Sequence, residues 1–373
     1  MKIHIIYQNY LNPDGNGMSI GGVQTYLTNL TNLFLRNGFA VTIYQRASVA
    51  FEKEWNGAIV KGFAYNGKRA HLPSKIFKHF KKEILKNTGD LLLFGDDFFI
   101  VKTKGIKSIA VQHGIAWDIP KKGTEKGIRF LKEYILKACK AWRKIKRVKN
   151  VDTLVCVDYN YWNWYKALVG KPQIKARVIP NFTNIPTESV HKSNDNIKII
   201  FARRFFHYRG TRIFAEAIER LLTEGYKIDV TLAGEGADES WLKGKLEKYE
   251  RVHFLKYNSN ESFEVHKDKD IAVIPTVGSE GTSLSLLEAM ACGCAVICSN
   301  VGGMTSIVID NYNGMVIEPT SKQLYLALKK MIENKTFREA IARKGRETVE
   351  KGFSKENWEK KWEEVLINII EQH

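Results

Sequence analysis

The sequence is poor in cysteine and proline and has no long apolar run. Five cysteines and eight prolines occur among 373 residues. No stretch approaches the 18 or more consecutive apolar residues of a membrane-spanning helix. Residues 1–7 are predicted to form a strand and not a signal peptide, because no apolar h-region or cleavage site follows. Cys292, Cys294 and Cys298 lack a His or second Cys pair at zinc spacing. These absences favour a soluble protein of a reducing cytoplasm whose cysteines are small buried side chains.

Acidic residues are scarce in the first half of the chain. Residues 1–187 hold 31 Lys and Arg against 12 Asp and Glu, a net charge of +19, whereas residues 188–373 hold 27 against 28, a net charge of −1. The densest basic segment, residues 121–149, has twelve basic and two acidic residues. No DNA- or RNA-binding motif accompanies the charge, so nucleic acid is the weakest candidate partner. Anionic lipid head groups or an anionic acceptor are the stronger ones.

One helix is predicted within this basic segment, over residues 125–148. Apolar residues repeat there at three-four spacing, which predicts an amphipathic helix: Ile128, Leu131, Ile135, Ala138, Trp142 and Ile145. In one interpretation the apolar stripe docks on the protein and the basic face is simply solvated. In the other the basic face attaches to anionic lipid or to an anionic acceptor. The two interpretations are compatible.

Strand and helix patterns alternate twice along the chain. Strands are predicted at 2–7, 40–45, 91–94, 107–112, 153–157, 197–202, 228–233, 252–255, 271–275, 295–298 and 314–317. Helices are predicted at 22–37, 74–87, 125–148, 159–168, 210–224, 239–248, 283–292, 321–333 and 354–370. Two such βα series predict an α/β protein of two doubly wound, Rossmann-like domains facing across a cleft. The predicted boundaries are 1–182, a polar linker at 183–196, 197–353, and a last helix within 354–373.

Two familiar phosphate-binding motifs are missing. The sequence contains neither G-x-G-x-x-G nor G-x-x-x-x-G-K-[ST], which argues against nicotinamide enzymes and P-loop NTPases. A glycine pair, Gly21 and Gly22, opens the first helix instead. Paired glycines allow a ligand to approach the backbone at a helix amino terminus, although such turns are also common as purely structural features.

The segment 271–298 carries the most specific signal. Strand, loop, helix and strand follow one another there, and ligands of such βαβ units bind where the strand ends and the helix begins. The backbone N–H groups of Gly281, Thr282, Ser283 and Leu284 would face an anion. Glu280 and Glu288 flank that position, and carboxylates suit hydroxyl groups better than phosphate. A nucleotide with sugars on both sides of its phosphates fits this pattern.

Three arginines follow the strand 197–202. Arg203, Arg204 and Arg209 lie within seven residues on a strand-to-helix loop. Unless they simply keep the surface soluble, such a cluster needs a dense negative charge beside it, and arginine donates in pairs to phosphate oxygens. The loop is predicted to leave the same sheet edge as the loop 280–284, so a diphosphate is the expected ligand.

Together these motifs resemble the retaining nucleotide-sugar glycosyltransferases of family 4. The resemblance covers essentially the whole chain, with its specific motifs within residues 197–318, and it implies the GT-B fold. The motifs are Arg204, Arg209-Gly210, Gly234-Glu235-Gly236, the E-x7-E pair Glu280 and Glu288, and Val301-Gly302-Gly303.

The resemblance implies a role for each matching residue. Arg204 and Arg209 would neutralise the donor diphosphate with the backbone of residues 281–284, and Gly21 and Gly22 would approach it from the first domain. Glu288 would bind the ribose, Glu280 and His113 the transferred sugar, and the backbone near Gly234 and Lys256-Tyr257 the base. The final helix would cross back onto the first domain.

The sequence departs from the family in three places. Arg209 stands where lysine is usual, Gly281-Thr282-Ser283 where Gly-Phe-Gly is frequent, and Asp158 where serine is frequent. Asp158 is predicted to be a helix N-cap. These changes put the shape of the substrate in question and not the chemistry.

The resemblance implies retaining, metal-independent sugar transfer to a hydroxyl of a glycan or lipid-linked acceptor. The acceptor would bind the first domain. Bacterial cell-surface polysaccharide or glycolipid assembly, peripheral at the cytoplasmic membrane face, is the expected setting. No cofactor or metal is expected, because arginines and a helix amino terminus can stabilise the leaving diphosphate. The D-x-D sequence Asp268-Lys269-Asp270 precedes its strand and is predicted to be a surface turn.

Two functions of other classes stay open. A non-catalytic, membrane-associated binding module on the same scaffold would be expected to have lost motif residues. A sugar-nucleotide epimerase would need no acceptor. A phosphorylase would need a phosphate or pyridoxal signal, and none is evident.

Overall fold

The chain forms two compact units, each built on one sheet. A computed structural model describes residues 1–19, 21–115, 117–119, 127–172, 174–187, 196–258 and 261–371. The first unit comprises Met1–His113, Lys126–Ile179 and Glu359–His373, and the second comprises Gly114–Glu125 and Pro180–Trp358. Most of the predicted linker, residues 188–195, lies outside the described residues.

The sheet of the first unit has eight strands in the order β3-β4-β2-β1-β5-β6-β7-β8. The strands are β1 (Lys2–Ile6), β2 (Ala40–Ala47), β3 (Phe51–Trp55), β4 (Ala58–Ala64), β5 (Leu91–Phe94), β6 (Lys107–Gln112), β7 (Thr153–Cys156) and β8 (Lys175–Val178). All pairings are parallel except that of β3 with β4. The five strands predicted in this half are confirmed. The β3–β4 hairpin was not predicted, because the charged centre of β3 is exposed and resembles a loop.

Among the described residues, four α-helices accompany this sheet. They are α1 (Gly22–Arg36), α2 (Leu72–Ile84), α3 (Gly127–Val148) and α4 (Tyr159–Val169). The prediction for Asp158 is confirmed, since its side chain accepts a hydrogen bond from the backbone N–H of Tyr161 and caps α4.

The sheet of the second unit has six strands, all parallel, in the order β11-β10-β9-β12-β13-β14. The strands are β9 (Ile197–Ala202), β10 (Ile228–Ala233), β11 (Val252–Leu255), β12 (Ile271–Ile274), β13 (Ala295–Ser299) and β14 (Met315–Ile317). Each was predicted from its apolar run, because parallel strands covered on both faces are continuously hydrophobic. β9 and β12 are neighbours, so the loops that follow them leave the same edge.

The described part of the second unit contains six further α-helices. They are α5 (Thr211–Thr223), α6 (Glu239–Leu246), α7 (Ser262–His266), α8 (Leu284–Ala291), α9 (Ser321–Glu333) and α10 (Lys335–Gly352). Neither α7 nor α10 was predicted. α7 is only five residues long. α10 is strongly polar and buries few apolar side chains, so its sequence resembles a surface segment.

The last helix, α11 (Lys355–Ile370), begins in the second unit and belongs to the first from Glu359 onward. Within the first unit, Trp362 is fully buried and its Nε1 donates to the hydroxyl of Tyr26 at 2.9 Å. The guanidinium of Arg36 donates to the Glu359 carboxylate at 2.6 Å. The prediction that the final helix packs on the first domain is confirmed.

Helix α3 does not bury the side chains that the sequence predicts. Its predicted apolar stripe is mostly exposed: Ile128 is 85% exposed, Leu131 54%, Ile135 52% and Trp142 57%. Of that stripe only Ile145 is buried, so the expectation of a docked stripe is wrong. No described helix is long and apolar enough to cross a membrane.

The reason is that α3 docks mainly through its last turns. Lys144 there donates to Asp97 at 2.7 Å, and Arg147 lies over the ring of Phe98 at 4.8 Å from its centroid. Cys139, on the same helix, is exposed, which corrects the expectation of buried cysteines; the other four cysteines are buried.

Candidate functional site

The loops after β9 and β12 meet at a buried carboxylate, that of Glu280. Nη2 of Arg203 and Nη1 of Arg209 both donate to its Oε2. The hydroxyl of Thr276 donates to the same oxygen at 3.1 Å. Glu280 is 8% exposed and so is Arg203. Two guanidinium groups and one carboxylate leave this cluster one positive charge in excess.

The protonation states follow from this pairing. Burial opposes the ionisation of Glu280, but Arg203 and Arg209 outweigh it and lower the pKa of the carboxyl group. Burial also lowers the pKa of Arg203 against the opposing effect of Glu280. Each charge therefore keeps the other ionised, as a buried pair requires.

One hydrogen-bond donor of the cluster formed by Arg203, Arg209 and Glu280 is not used within the described residues. Nη1 of Arg203 is buried and has no hydrogen-bond partner among the residues that the structure describes. An unpaired buried guanidinium N–H is costly, and an anion would satisfy it. Three hydrogen bonds to the Glu280 carboxylate use Oε2, so with respect to the described residues Oε1 is the oxygen available to a ligand hydroxyl.

The loop that carries Glu280 is held by close backbone packing. Ser279 has a left-handed φ of 61°, and its N–H donates to Oδ1 of Asp118 at 2.8 Å. A Cβ at Gly302, whose φ is 58°, would overlap the carbonyl oxygen of Glu280. A non-glycine residue in the left-handed region is strained, and such strain is maintained where surrounding contacts enforce it. The loop geometry therefore depends on Asp118 and Gly302.

Gly281, Thr282 and Ser283 lead directly into α8 and are buried. The side chain of Asn181 donates to the carbonyl oxygen of Thr282 at 2.6 Å. Leu284 is the first residue of the helix, so the backbone N–H groups of the first turn of α8 have no acceptor within the helix. This is the geometry that binds anions at helix amino termini.

Glu288 lies within α8 and is half-buried. Burial raises the pKa of its carboxyl group, although a hydrogen bond from Ser262 and the charge of Arg203 act in the opposite direction. Burial, followed by the charge of Glu288, likewise raises the pKa of the Tyr257 hydroxyl. Glu288, Ser262 and Tyr257 thus form a polar group near Arg203. Ser262 was not identified from the sequence, because α7 was not predicted.

Arg204 is exposed, whereas Gly234 packs against the backbone of Arg203. The Arg204 side chain is exposed, and its guanidinium lies 5.6 Å from the ring centroid of Phe206. It is Arg203, the first residue after β9, that joins Glu280. Gly234 follows β10 with φ 147°, and a Cβ there would overlap the carbonyl oxygen of Arg203. The sequence signal for Arg203 was its position immediately after a buried strand.

Three predicted residues belong to the first unit. Gly21 precedes α1 and Gly22 is its first residue. His113 follows β6, and its Nε2 donates to the carbonyl oxygen of Gly95 at 2.9 Å. Burial lowers the pKa of His113 to about 4, so the ring is neutral and Nδ1 is an acceptor. The edge of the Tyr26 ring contacts the imidazole, with 5.1 Å between ring centroids.

The D-x-D sequence is a structural turn, as predicted. Asp268 pairs with Lys198 at 3.1 Å, and Asp270 accepts the backbone N–H of Lys198 at 2.8 Å. Both aspartates precede β12. Among the described residues, no group of three or more His, Cys, Asp or Glu side chains is placed to hold a metal ion.

Comparison with solved structures identifies the fold as GT-B. Sucrose-phosphate synthase from Thermosynechococcus elongatus superposes with a TM-score of 0.79 at 14% identity, over 100% of both chains. HepE from Anabaena, in complex with UDP and glucose, gives a TM-score of 0.71 at 14% identity over 98% of this chain and 99% of the other.

The family match lies in the second unit. Residues 183–348 match the family described as Glycosyl transferases group 1. An uncharacterised glycosyltransferase of Methanocaldococcus jannaschii is 28% identical over 174 residues, 45% of this chain and 44% of that protein. The capsular polysaccharide biosynthesis glycosyltransferase CapM of Staphylococcus aureus is 26% identical over 184 residues, 48% of this chain and 47% of that protein. The chain thus spans about half the length of the curated relatives it matches.

Proposed function

We propose that this protein is a retaining glycosyltransferase of family 4. It moves a sugar from a nucleoside-diphosphate donor to a hydroxyl of a glycan or lipid-linked acceptor. The observation that carries the proposal is the buried, unsatisfied Nη1 of Arg203 beside Glu280, within a group 1 glycosyltransferase domain. A diphosphate would satisfy that donor and neutralise the excess charge of the cluster.

In this proposal the donor binds along the loops after β9 and β12. Arg203 and Arg209 contact the diphosphate, together with the backbone N–H groups of residues 281–284. Glu288 accepts the ribose hydroxyls, and Oε1 of Glu280 accepts a hydroxyl of the transferred sugar. The backbone beside Gly234 contacts the base. Arg204, being exposed, has the smaller share of the phosphate charge.

The family resemblance further assigns contact with the transferred sugar to His113 and contact with the phosphates to Gly21 and Gly22. The neutral imidazole already donates through Nε2, so its Nδ1 can accept a sugar hydroxyl near the anomeric carbon.

The proposed reaction is displacement on one face of the sugar. The bond from the anomeric carbon to the diphosphate oxygen breaks as the bond to the acceptor oxygen forms. The acceptor hydroxyl loses its proton to the departing phosphate oxygen, so the configuration is retained. The arginines and the α8 amino terminus stabilise the developing negative charge without a metal ion.

The setting that we propose is the assembly of bacterial cell-surface polysaccharide or glycolipid, peripheral at the cytoplasmic membrane face. The relative CapM carries capsular polysaccharide biosynthesis in its name. The +19 charge of residues 1–187 favours an anionic surface or an anionic acceptor.

The first test is a screen of nucleoside-diphosphate sugars for thermal stabilisation, because a ligand of the folded state raises its apparent stability. Purified protein should hydrolyse the stabilising donor slowly, and Glu280→Gln should lower that rate about 100-fold or more. Donor binding without turnover would indicate a binding module, and isomerisation of the donor without an acceptor would indicate an epimerase. An inverted anomeric centre in the product NMR spectrum would exclude the retaining mechanism.

A further inference from the structure

Helix α3 carries a concentration of exposed apolar side chains. Among the described residues, seven of the sixteen exposed large apolar side chains lie on this one helix. Four of these, together with Ala138, follow one another at three-four spacing and form a continuous line, here called the ridge: Ile128, Leu131, Ile135, Ala138 and Trp142. At 1.5 Å rise per residue the ridge is about 21 Å long. Scattered exposed apolar residues need no explanation, but a continuous line of them marks an interaction surface.

A strip of exposed basic residues runs along the ridge. Its members are Arg129, Lys132, Lys140, Arg143 and Lys146. At 100° per residue the strip is centred about 100° from the ridge, on the side away from the buried apolar residues Ala141, Ile145 and Val148. The ammonium group of Lys146 lies 5.5 Å from the ring centroid of Trp142, where strip and ridge meet. Ridge and strip therefore lie on adjacent faces of the helix.

We infer that α3 lies in the interface of an anionic lipid membrane, with the ridge among the acyl chains and the strip at the head groups. An apolar line beside a Lys- and Arg-rich line is the surface of an interfacial helix. The aromatic Trp142 suits the boundary between the two layers. The occupant is a membrane and not a second copy of this chain, because pairing two such faces would bring their basic strips together.

This inference deepens the proposed function and rests on its membrane setting. It assigns membrane attachment to α3. It also requires that the ridge be buried in the bilayer, in addition to the attraction between basic side chains and anionic head groups. A lipid-linked acceptor would then be delivered to the first unit along the surface on which α3 lies.

The test measures co-sedimentation of the full chain with phosphatidylcholine vesicles that contain or lack phosphatidylglycerol. The ridge variant is Ile128→Ser, Leu131→Ser and Ile135→Ser together. Its matched control replaces exposed apolar residues elsewhere: Val49→Ser, Ile309→Ser and Leu326→Ser. The wild type and the control should bind anionic vesicles, and the ridge variant should lose at least about tenfold in partition coefficient.

A second pair of variants separates insertion from charge. Replacing Lys132, Arg143 and Lys146 by Gln should lower partition by about fivefold per charge, whereas the same change at Lys82, Lys102 and Lys322 should have a smaller effect. The Trp emission should shift to the blue on anionic vesicles, and Trp142→Phe should remove that shift.

Wild-type partition by the ridge variant would overturn the inference, as would loss of a self-associated species without any loss of lipid binding. Donor hydrolysis by the ridge variant tests the proposed function separately. If hydrolysis is absent in every variant, wild type included, while the ridge still governs lipid binding, the proposed function fails and the membrane assignment stands.

Discussion

In most proteins apolar side chains are buried and charged side chains are exposed. The cluster around Glu280 and helix α3 depart from this pattern in opposite ways. At Glu280 charged side chains are buried and paired, with one donor of Arg203 left over. On α3 large apolar side chains are exposed beside basic ones. Each departure is costly for a protein alone in water. The first is explained by an anionic ligand and the second by an apolar phase, so the two regions indicate two different partners.

The largest effect is expected from Glu280→Gln. Without the carboxylate, Arg203 and Arg209 face each other as buried like charges, which should cost about 3–5 kcal/mol of the free energy of unfolding. Donor turnover should fall about 100-fold or more. Urea denaturation and a donor-hydrolysis assay measure the two effects.

Glu288→Gln is the control for this change. Burial raises the pKa of Glu288, so a neutral amide should be tolerated in the fold while donor affinity falls. Equal losses of stability in the two variants would contradict the distinction between the glutamates.

Within α3, a buried and an exposed residue of the same type can be compared. Ile145 is 4% exposed and Ile135 is 52% exposed. Ile145→Ala should cost about 2–5 kcal/mol, because it leaves a cavity. Ile135→Ala should change the free energy of unfolding by no more than about 0.5 kcal/mol. Denaturant titration of both variants checks this, and a large loss for Ile135→Ala would mean that the ridge packs on the protein.

A smaller effect is expected from Trp362→Phe in α11. The change removes the hydrogen bond from Nε1 to the Tyr26 hydroxyl and should cost about 1 kcal/mol. Because the Tyr26 ring also contacts His113, the variant should lower turnover more than donor affinity. Separate measurement of kcat and KM detects this, and a change in KM alone would argue against such a link.

The last expected effect concerns the pH dependence of stability. The folded protein keeps His113 neutral down to a pKa of about 4, whereas an ordinary His has a pKa of 6.5. The unfolded chain therefore takes up this proton first, and stability is lost as the pH falls from 6.5 towards 4. His113→Gln should show a smaller loss over this range in urea titrations.

Burial raises the pKa of Asp97 to about 6, so its protonation stabilises the folded state as the pH falls, opposite to the effect of His113. Asp97 is present in both the wild type and His113→Gln. The difference between them reports the titration of His113 together with its electrostatic interaction with Asp97. An equal loss in the two proteins would show that His113 does not titrate in this way.

Local pattern was sufficient to predict the second sheet and the position of Glu280 and Glu288. Buried parallel strands are continuous apolar runs, and the two glutamates are fixed by the helix that joins β12 and β13. Arg203 and Arg204 are neighbours with the same side chain, so the choice between them depends on which one turns toward Glu280 after β9. Sequence reasoning favoured Arg204, and the structure buries Arg203.

The ridge of α3 could not be recognised from periodicity either. A three-four spacing shows that apolar residues share a face, but not whether that face meets the protein. Asp118 and Asn181 were missed for the same reason. They hold the 279–282 loop from segments far away in the chain, and no local signal marks them.

The central claim is that the Glu280 cluster binds the donor diphosphate through Arg203. Calorimetric titration with UDP, ADP and GDP, and with the corresponding nucleosides, tests it most directly in the wild type, Arg203→Gln and Arg204→Gln. We expect at least one diphosphate to bind the wild type, with little loss for Arg204→Gln and a loss of tenfold or more, about 1.4 kcal/mol, for Arg203→Gln. Binding that depends on Arg204 and not on Arg203, or equal affinity for nucleoside and diphosphate, would contradict the account.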